Sequence, residues 1–191
     1  MSSEVQVHQS VIWRGMVLQG FEFCQMSQEN PGWHLVGTAV FSYEKYPCLL
    51  NYRIMCDSSW HTLSAKVQGW VGKTRVEAWI VVEADQQWWL NGLEVPRTKG
   101  CFDLDLNFSP STNTVAIRRL NLSVGERADI RAAWLKFPEF TLEPLVQSYH
   151  RLEEDTYRYE SGQGRFKAEL TVNQHGFISQ YPGIWMAESF S

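Results

Sequence analysis

The amino-acid sequence predicts an all-β fold, either an antiparallel sandwich or a barrel. Turn signals rich in Gly, Pro and Asn recur at short intervals along the 191 residues. The segments between these turns are rich in Val, Ile, Trp, Tyr and Phe, and many alternate apolar and polar residues. Short strands at such spacing are typical of antiparallel sandwiches and barrels. Because no repeat, linker or low-complexity tract interrupts the chain, we treat residues 1–191 as a single domain.

The clearest predicted strand covers residues 165–173. Every second residue in it is apolar: Phe166, Ala168, Leu170 and Val172. The residues between them are charged or polar, as expected of a strand with one face in water.

Residues 75–83 form a second predicted strand, with a face that is only half polar because Trp79 and Val81 share it with charged residues. The dipeptide Asn91-Gly92 follows two tryptophans and a leucine and predicts a type I′ hairpin turn.

Residues 144–152 fit two structures. The apolar residues there have helical spacing, and Pro144 suits the first position of a helix. The same residues also alternate as in a strand, so periodicity leaves both interpretations open.

Composition and charge exclude several classes of protein. Hydrophobic residues make up 44% of the chain and aromatic residues 14%, which excludes a disordered or collagen-like chain. The net charge of −4 provides no overall basic field for nucleic acid. No segment has the roughly 18 apolar residues of a membrane span, and residues 1–8 lack the features of a secretory signal. We therefore expect a cytoplasmic protein without integral membrane association, with four reduced, buried cysteines.

The common catalytic and cofactor motifs are missing from the sequence. We find no GxSxG, GxxxxGK[ST], GxGxxG or HExxH pattern. The five histidines and four cysteines show no paired spacing for a metal. We therefore expect neither a cofactor nor a metal.

One charged cluster is distinctive. In residues 101–106, Asp103 and Asp105 share one strand face and apolar side chains share the other. A turn rich in Ser, Thr and Asn follows over residues 109–114, and residues 115–120 come next. If residues 115–120 return as a strand, this arrangement places one of their two arginines near the aspartates.

Arg118 and Arg119 are adjacent, so in a strand they point to opposite faces. One interpretation is a surface ion pair with an aspartate, worth about 0–1 kcal/mol. The other is a polar cluster at the mouth of a cavity, where an arginine binds an anionic or hydroxyl-rich head group. Asp103 and Asp105 also suit general acid–base catalysis if burial separates their pKa values.

The chain has nine tryptophans, and most are expected in the core. Trp79 differs because its strand face also carries Arg75, Glu77 and Glu83, which favours a pocket or surface position.

A distinctive pattern is formed by four segments taken together: Cys101–Leu106, Ser109–Thr114, Ile117–Leu120 and Ala133–Trp134. With weaker matches such as Gln147 and Tyr149, the chain resembles the family of putative glycolipid-binding proteins, a mostly bacterial group, over residues 11–185. The resemblance implies a curved antiparallel sheet or incomplete barrel around a cavity, similar in shape to the bacterial lipoprotein-localisation factors. It favours a strand over residues 144–152. Those factors work in the periplasm, whereas this chain is expected in the cytoplasm, which speaks against a lipoprotein-carrier role.

We therefore expect non-catalytic binding of a small amphiphilic ligand, with its apolar tail against aromatic and aliphatic side chains. The candidate binding residues are Arg118, Arg119, Asp103, Asp105, Arg14 and Trp79. Two alternatives stay open: an enzyme of unknown reaction that uses the Asp/Arg cluster, and a protein-interaction module with exposed Trp and Tyr.

Overall fold

The structure is a computed structural model that describes residues 8–191. Residues 1–7, most of the segment in which no secretory signal is found, lie outside the described residues. The described residues form fifteen strands: β1 (His8–Gly15), β2 (Gly20–Glu29), β3 (Gly32–Tyr43), β4 (Tyr46–Cys56), β5 (Thr62–Val71), β6 (Thr74–Val82), β7 (Trp88–Leu90), β8 (Leu93–Glu94), β9 (Asp103–Asp105), β10 (Arg127–Leu135), β11 (Leu142–Arg151), β12 (Thr156–Ser161), β13 (Phe166–Val172), β14 (Ile178–Tyr181) and β15 (Trp185–Phe190).

All fifteen strands belong to one curved, open sheet. Its spatial order runs from β8 back to β1, continues to β15, and then descends to β9. Neighbouring strands are antiparallel except β9 and β10, which are parallel. The prediction of an all-β, curved antiparallel sheet is confirmed.

The strands alternate between buried and exposed side chains. In β1, Val11 and Trp13 are buried, whereas Ile12 and Arg14 are exposed. The buried side chains of the successive strands form one hydrophobic core on the inner face of the sheet. The outer face carries many exposed apolar side chains.

One α-helix, α1 (Ser111–Leu120), connects β9 to β10 and packs against β9 and β14. The expectation of a strand over residues 115–120 is therefore wrong. Pro110 has a helical φ of −78°, and Asn121 ends the helix in a left-handed conformation with φ 44°. Six of the ten helical residues are buried, so tertiary packing overrides the strand preference of Thr, Val and Ile here.

Several local predictions are confirmed. Residues 144–152 fall almost entirely in strand β11, as the family resemblance implies. Asn91 and Gly92 connect β7 to β8 with φ 51° and 79°, the positive values that a type I′ turn requires. All four cysteines are free and buried. No helix within residues 8–191 has the length and apolar character needed to cross a membrane.

Candidate functional site

Two cavities of about 630 Å³ each lie at opposite ends of α1. The first, which we call the aromatic cavity, includes Pro110 and Asn113 at the start of the helix. The second, the arginine cavity, includes Ile117, Arg118 and Arg119 at its end. No residue lines both cavities. A ten-residue helix is about 15 Å long, so α1 separates two distinct sites inside the curved sheet.

Aromatic rings form most of the apolar wall of the aromatic cavity. They come from six strands, from the segment between β9 and α1 and from the loop after β10, and they include Phe108, Trp134, Phe137, Tyr159, Phe166 and Tyr181. Neighbouring rings contact one another edge to face, for example Phe108 with Phe137 and Tyr159 with Tyr181. Such edge-to-face contacts hold the rings in place around an apolar space.

A carboxyl group, Asp105 at the end of β9, lies in the wall of the same cavity. Its Oδ2 accepts a hydrogen bond from Gln147 Nε2 at 2.6 Å, and its Oδ1 accepts one from the Asn107 backbone N–H at 2.7 Å. Burial raises the pKa of Asp105 above its ordinary value, although both hydrogen bonds favour the charged form. Asp105 is thus a fixed hydrogen-bonding group in a largely aromatic wall.

Two further polar groups of the aromatic cavity are held by neighbouring strands. Asn113, in the first turn of α1, donates from Nδ2 to Tyr149 Oη at 2.9 Å. Ser109 donates to Glu22 Oε1 at 2.6 Å, and Tyr52 donates to the same oxygen at 2.5 Å. Glu22 is 0% exposed, and burial raises its pKa to about 8. Ser109 therefore connects the cavity wall to a buried carboxyl group.

The arginine cavity is mainly polar, and Arg118 is one of three arginines that line it. The guanidinium carbon of Arg118 lies 5.3 Å from the ring centroid of Trp60 and 5.8 Å from that of Trp33. These two indoles stack on each other at 4.4 Å with an interplanar angle of 19°. Arg118 thus makes cation–π contacts with both indoles of the stacked pair.

Arg119 points toward β9 and forms a largely buried ion pair there. Its Nε and Nη2 donate to Asp103 Oδ1 and Oδ2, both at 2.7 Å. Asp103 is 1% exposed, so the carboxylate is almost fully removed from water. The pair joins the last turn of α1 to β9 with the two parallel bonds that arginine and a carboxylate favour.

The remaining two candidates, Arg14 and Trp79, lie on the outer face of the sheet. Arg14 Nε donates to Glu188 Oε1 at 2.6 Å, and both side chains are about half exposed. Trp79 is 61% exposed and lies between the buried Ala78 and Ile80. Neither residue lines either of the two cavities.

The structure thus divides the predicted cluster. Arg119 and Asp103 form a pair, Asp105 lines the aromatic cavity, and Arg118 lines the arginine cavity. Arg14 and Trp79 lie apart from all four.

Several residues of the site escape detection in the sequence. Glu22 lies between Phe21 and Phe23, and these phenylalanines give no hint that the glutamate points inward. Gln147 and Tyr149 are visible only as weak parts of the family pattern, yet they hold Asp105 and Asn113. Their alternate spacing in one strand was the signal that both point to the same face.

Comparison with known proteins places this architecture in a family. The sequence model of the family described as "Putative glycolipid-binding" matches residues 10–187. The chain belongs to this family. The structure is also similar to the crystal structure of a DUF1089 family protein from Pseudomonas aeruginosa, with a TM-score of 0.75 and 30% sequence identity. That similarity covers 86% of this chain and 91% of the other.

No functionally curated protein matches the chain. The resemblance predicted from residues 101–134 and their flanks is confirmed by the family match over nearly the whole chain. The description of the family suggests an amphiphilic ligand.

Proposed function

We propose that the protein binds an amphiphilic, glycolipid-like molecule in the aromatic cavity. The observation that carries the proposal is the composition of the cavity wall, in which aromatic rings surround a few fixed polar groups. Ligand pockets have a similar make-up, since apolar walls provide affinity and a few polar groups fix orientation.

The apolar part of the ligand would lie against the rings and the neighbouring aliphatic side chains, such as Leu145 and Ile184. Burial of an alkyl chain contributes about 0.8 kcal/mol per CH₂ group removed from water. A cavity of about 630 Å³ lies within the range of small-molecule sites, roughly 300–1,000 Å³. A short alkyl chain with one sugar ring is therefore a suitable probe.

The hydroxyl groups of the sugar would bind to the polar residues of the same wall. Asp105 accepts hydrogen bonds, and Asn113 and Ser109 offer further donors and acceptors. Arg165 lies at the turn between β12 and β13, and its guanidinium has no hydrogen-bond or ion-pair partner among residues 8–191. It supplies free donors to a head group at the edge of the cavity.

Replacing Trp134 with alanine should weaken the binding of octyl glucoside by about tenfold or more, because a Trp anchor in a pocket typically contributes over 1.4 kcal/mol. Isothermal titration below the micelle concentration measures the affinity. Trp70→Ala is the matched control, since Trp70 is exposed on the outer face. We expect its affinity to equal that of the wild type.

Glucose and octanol serve as the two halves of the probe. Octyl glucoside should bind more tightly than either, because the proposal requires both apolar and polar contacts. Equal binding of octanol and octyl glucoside would contradict the role of the polar wall. Equal affinities for Trp134→Ala and Trp70→Ala would contradict the location of the site. Native mass spectrometry with organic extraction of the purified protein tests the same proposal with the natural ligand.

Asp105→Asn should reduce the preference for octyl glucoside over octanol. The carboxylate accepts two hydrogen bonds on each oxygen, whereas the amide loses part of that capacity to its NH₂ group. The expected loss is about tenfold for the glycoside and none for octanol, since hydrogen bonds to charged groups contribute about 1.5–3 kcal/mol. An equal loss for both compounds would indicate a damaged apolar wall instead of a lost head-group contact. Isothermal titration of the variant and the wild type with both compounds, at one pH, measures these affinities.

A further inference from the structure

Arg118 carries unused hydrogen-bonding capacity into the arginine cavity. Within residues 8–191, its guanidinium makes no hydrogen bond, and no carboxylate forms an ion pair with it. Its guanidinium carbon lies over the indole ring of Trp60, 5.3 Å from the centroid. Stacking uses the face of a guanidinium and leaves the N–H donors at its edge available. The cavity therefore contains a positioned cation whose donors have no partner in the described chain.

Arg118 lies over a buried indole, that of Trp60, which is held in an unusual backbone conformation. Trp60 is buried, with 6% exposure, and has a φ of 68°, which is unfavourable for a large side chain. The turn that imposes this conformation is held by Asp57, whose Oδ1 accepts the backbone N–H groups of Ser59 and His61. Backbone strain of this kind concentrates at binding sites, and here it places an indole under the arginine.

A glycine, Gly176, leaves room for the stem of Arg118. A Cβ atom at Gly176 would lie 3.1 Å from Arg118 Cδ, and Gly176 has a φ of 84° that favours glycine. The turn around it is held by Asn173, whose Oδ1 accepts the N–H groups of His175 and Phe177. Two hydrogen-bonded turns thus approach the arginine, one through Trp60 and the other through Gly176.

The charges around the cavity leave an excess of positive charge. Arg118, Arg119 and Arg151 line it, together with Glu154. Arg119 is neutralised by Asp103, and Glu154 offsets one more charge, so three positive and two negative groups leave one positive charge. The Arg151 guanidinium is already bonded to three backbone carbonyls. Arg118 is therefore the arginine of this cavity that combines an uncompensated positive charge with unused N–H donors.

The end of α1 also faces this cavity, and its last carbonyl groups carry partial negative charge. One of them, the carbonyl of Ile117, accepts the N–H of Asn121. Together these carbonyl groups amount to roughly half a negative elementary charge, which is less than the full positive charge of Arg118. The helix end therefore does not cancel the charge of Arg118.

We propose that the arginine cavity binds the phosphate group of a small hydroxyl-rich molecule, with Arg118 as its principal ligand. A guanidinium edge matches two phosphate oxygens. The cavity, at about 630 Å³, is larger than a phosphate, and its other walls include Ser58, Asn121 and Gln174, which suit hydroxyl groups. This site shares no lining residue with the aromatic cavity, so the proposal stands independently of the proposed function.

The test is isothermal titration of the full chain with glycerol 3-phosphate, inorganic phosphate and glycerol at constant ionic strength. Both phosphates should bind, glycerol 3-phosphate more tightly, and glycerol should not bind. Arg118→Gln should weaken the binding of both phosphates by about 10- to 100-fold, since hydrogen bonds to charged groups contribute about 1.5–3 kcal/mol. Equal affinity for the two phosphates would remove the hydroxyl-rich part of the proposal and leave a site for free phosphate.

Arg53→Gln is the matched control, because Arg53 is an exposed arginine on the outer face of β4. It should bind as the wild type does. If Arg118→Gln does not fold, judged by circular dichroism, Arg118→Lys replaces it and should still weaken binding because lysine lacks the planar pair of donors. Absence of phosphate binding to the wild type, or equal affinities for the Arg53 and Arg118 variants, would overturn the proposal.

Discussion

Replacing Arg119 with alanine should lower the free energy of unfolding by about 3–5 kcal/mol, the loss expected when one partner of a buried ion pair is removed. The variant leaves the carboxylate of Asp103 buried at 1% exposure without its two hydrogen bonds at 2.7 Å. An isolated buried charge is costly because the surrounding protein solvates it poorly. Urea unfolding at neutral pH, followed by circular dichroism, measures the loss.

Arg14→Ala is the matched control for this prediction. Arg14 also forms an arginine–carboxylate contact, at 2.6 Å with Glu188, but both side chains are about half exposed. Exposed pairs contribute about 0–1 kcal/mol, so this variant should stay close to the wild type. Equal losses for the two variants would show that burial of Asp103 is not the decisive factor.

A double substitution separates the cost of the orphaned charge from the value of the pair. Asp103→Leu combined with Arg119→Leu removes both charges, and apolar replacements of buried pairs are often neutral or stabilising. We therefore expect the double variant to be more stable than Arg119→Ala. The wild type is the reference for the value of the pair itself. A double variant that is less stable than the wild type would mean that the pair contributes through its two hydrogen bonds and does more than avoid an isolated carboxylate. The Arg119–Asp103 pair would then be a genuine source of stability between α1 and β9.

The sequence carries enough information to predict the sheet because each strand has its own local signal. Residues 165–173 alternate strictly, and β13 (Phe166–Val172) appears where the alternation predicts it. The turn at Asn91-Gly92 follows from the left-handed conformation that Asn and Gly tolerate. These features need only a few neighbouring residues, so a single sequence reveals them.

Helix α1 could not be predicted in the same way. Its residues Ser111–Leu120 include three threonines or serines, Val115 and Ile117, which have moderate helix preference and strong strand preference. The helix forms because its buried face fills the hollow of the sheet, a contact that depends on strands far away in the chain. As a consequence, Arg118 and Arg119 take different directions because neighbouring positions on a helix face different sides, so that Arg118 contacts Trp60 and Arg119 pairs with Asp103.

The aromatic cavity, too, could be predicted from the sequence only in part. Asp105 was visible in the sequence as a charged residue in an apolar segment, but its partner Gln147 is 42 residues away. The aromatic rings were visible only as a high content of Trp, Tyr and Phe. Which rings face the cavity depends on strand register and curvature, which a single sequence does not specify.

Glu22→Gln should change the pH dependence of stability, because burial raises the pKa of Glu22 to about 8 from an ordinary value of 4.5. Between these values the folded protein keeps the proton and the unfolded chain releases it. The wild type therefore loses stability from this group as the pH rises, by about 1.4 kcal/mol per pH unit. This contribution is fully present below pH 4.5 and is lost by about pH 8.

The glutamine variant has no proton to release at this position. Its free energy of unfolding, relative to that of the wild type, should therefore rise between pH 5 and pH 8 by a few kcal/mol in total. Other titrating groups cancel in the difference if the surroundings of Glu22 are unchanged. Those surroundings are the hydroxyl groups of Tyr52 and Ser109 and the thiol of Cys24, whose pKa is also raised by burial. Urea unfolding of both proteins at pH 5, 6, 7 and 8 gives the two curves.

Glu94→Gln controls for the loss of a carboxyl group as such, since Glu94 is exposed in the short strand β8. Its stability curve should run parallel to that of the wild type. If the Glu22→Gln curve is also parallel, Glu22 is ionised in the folded protein, and Tyr52 and Ser109 then stabilise a buried carboxylate through their hydrogen bonds at 2.5 and 2.6 Å. If the curves diverge as expected, the hydroxyl of Ser109 in the wall of the aromatic cavity contacts a neutral carboxyl group near pH 7. In that case the polar end of the cavity presents less negative charge to a ligand than its formal composition implies, which suits the hydroxyl groups of a sugar.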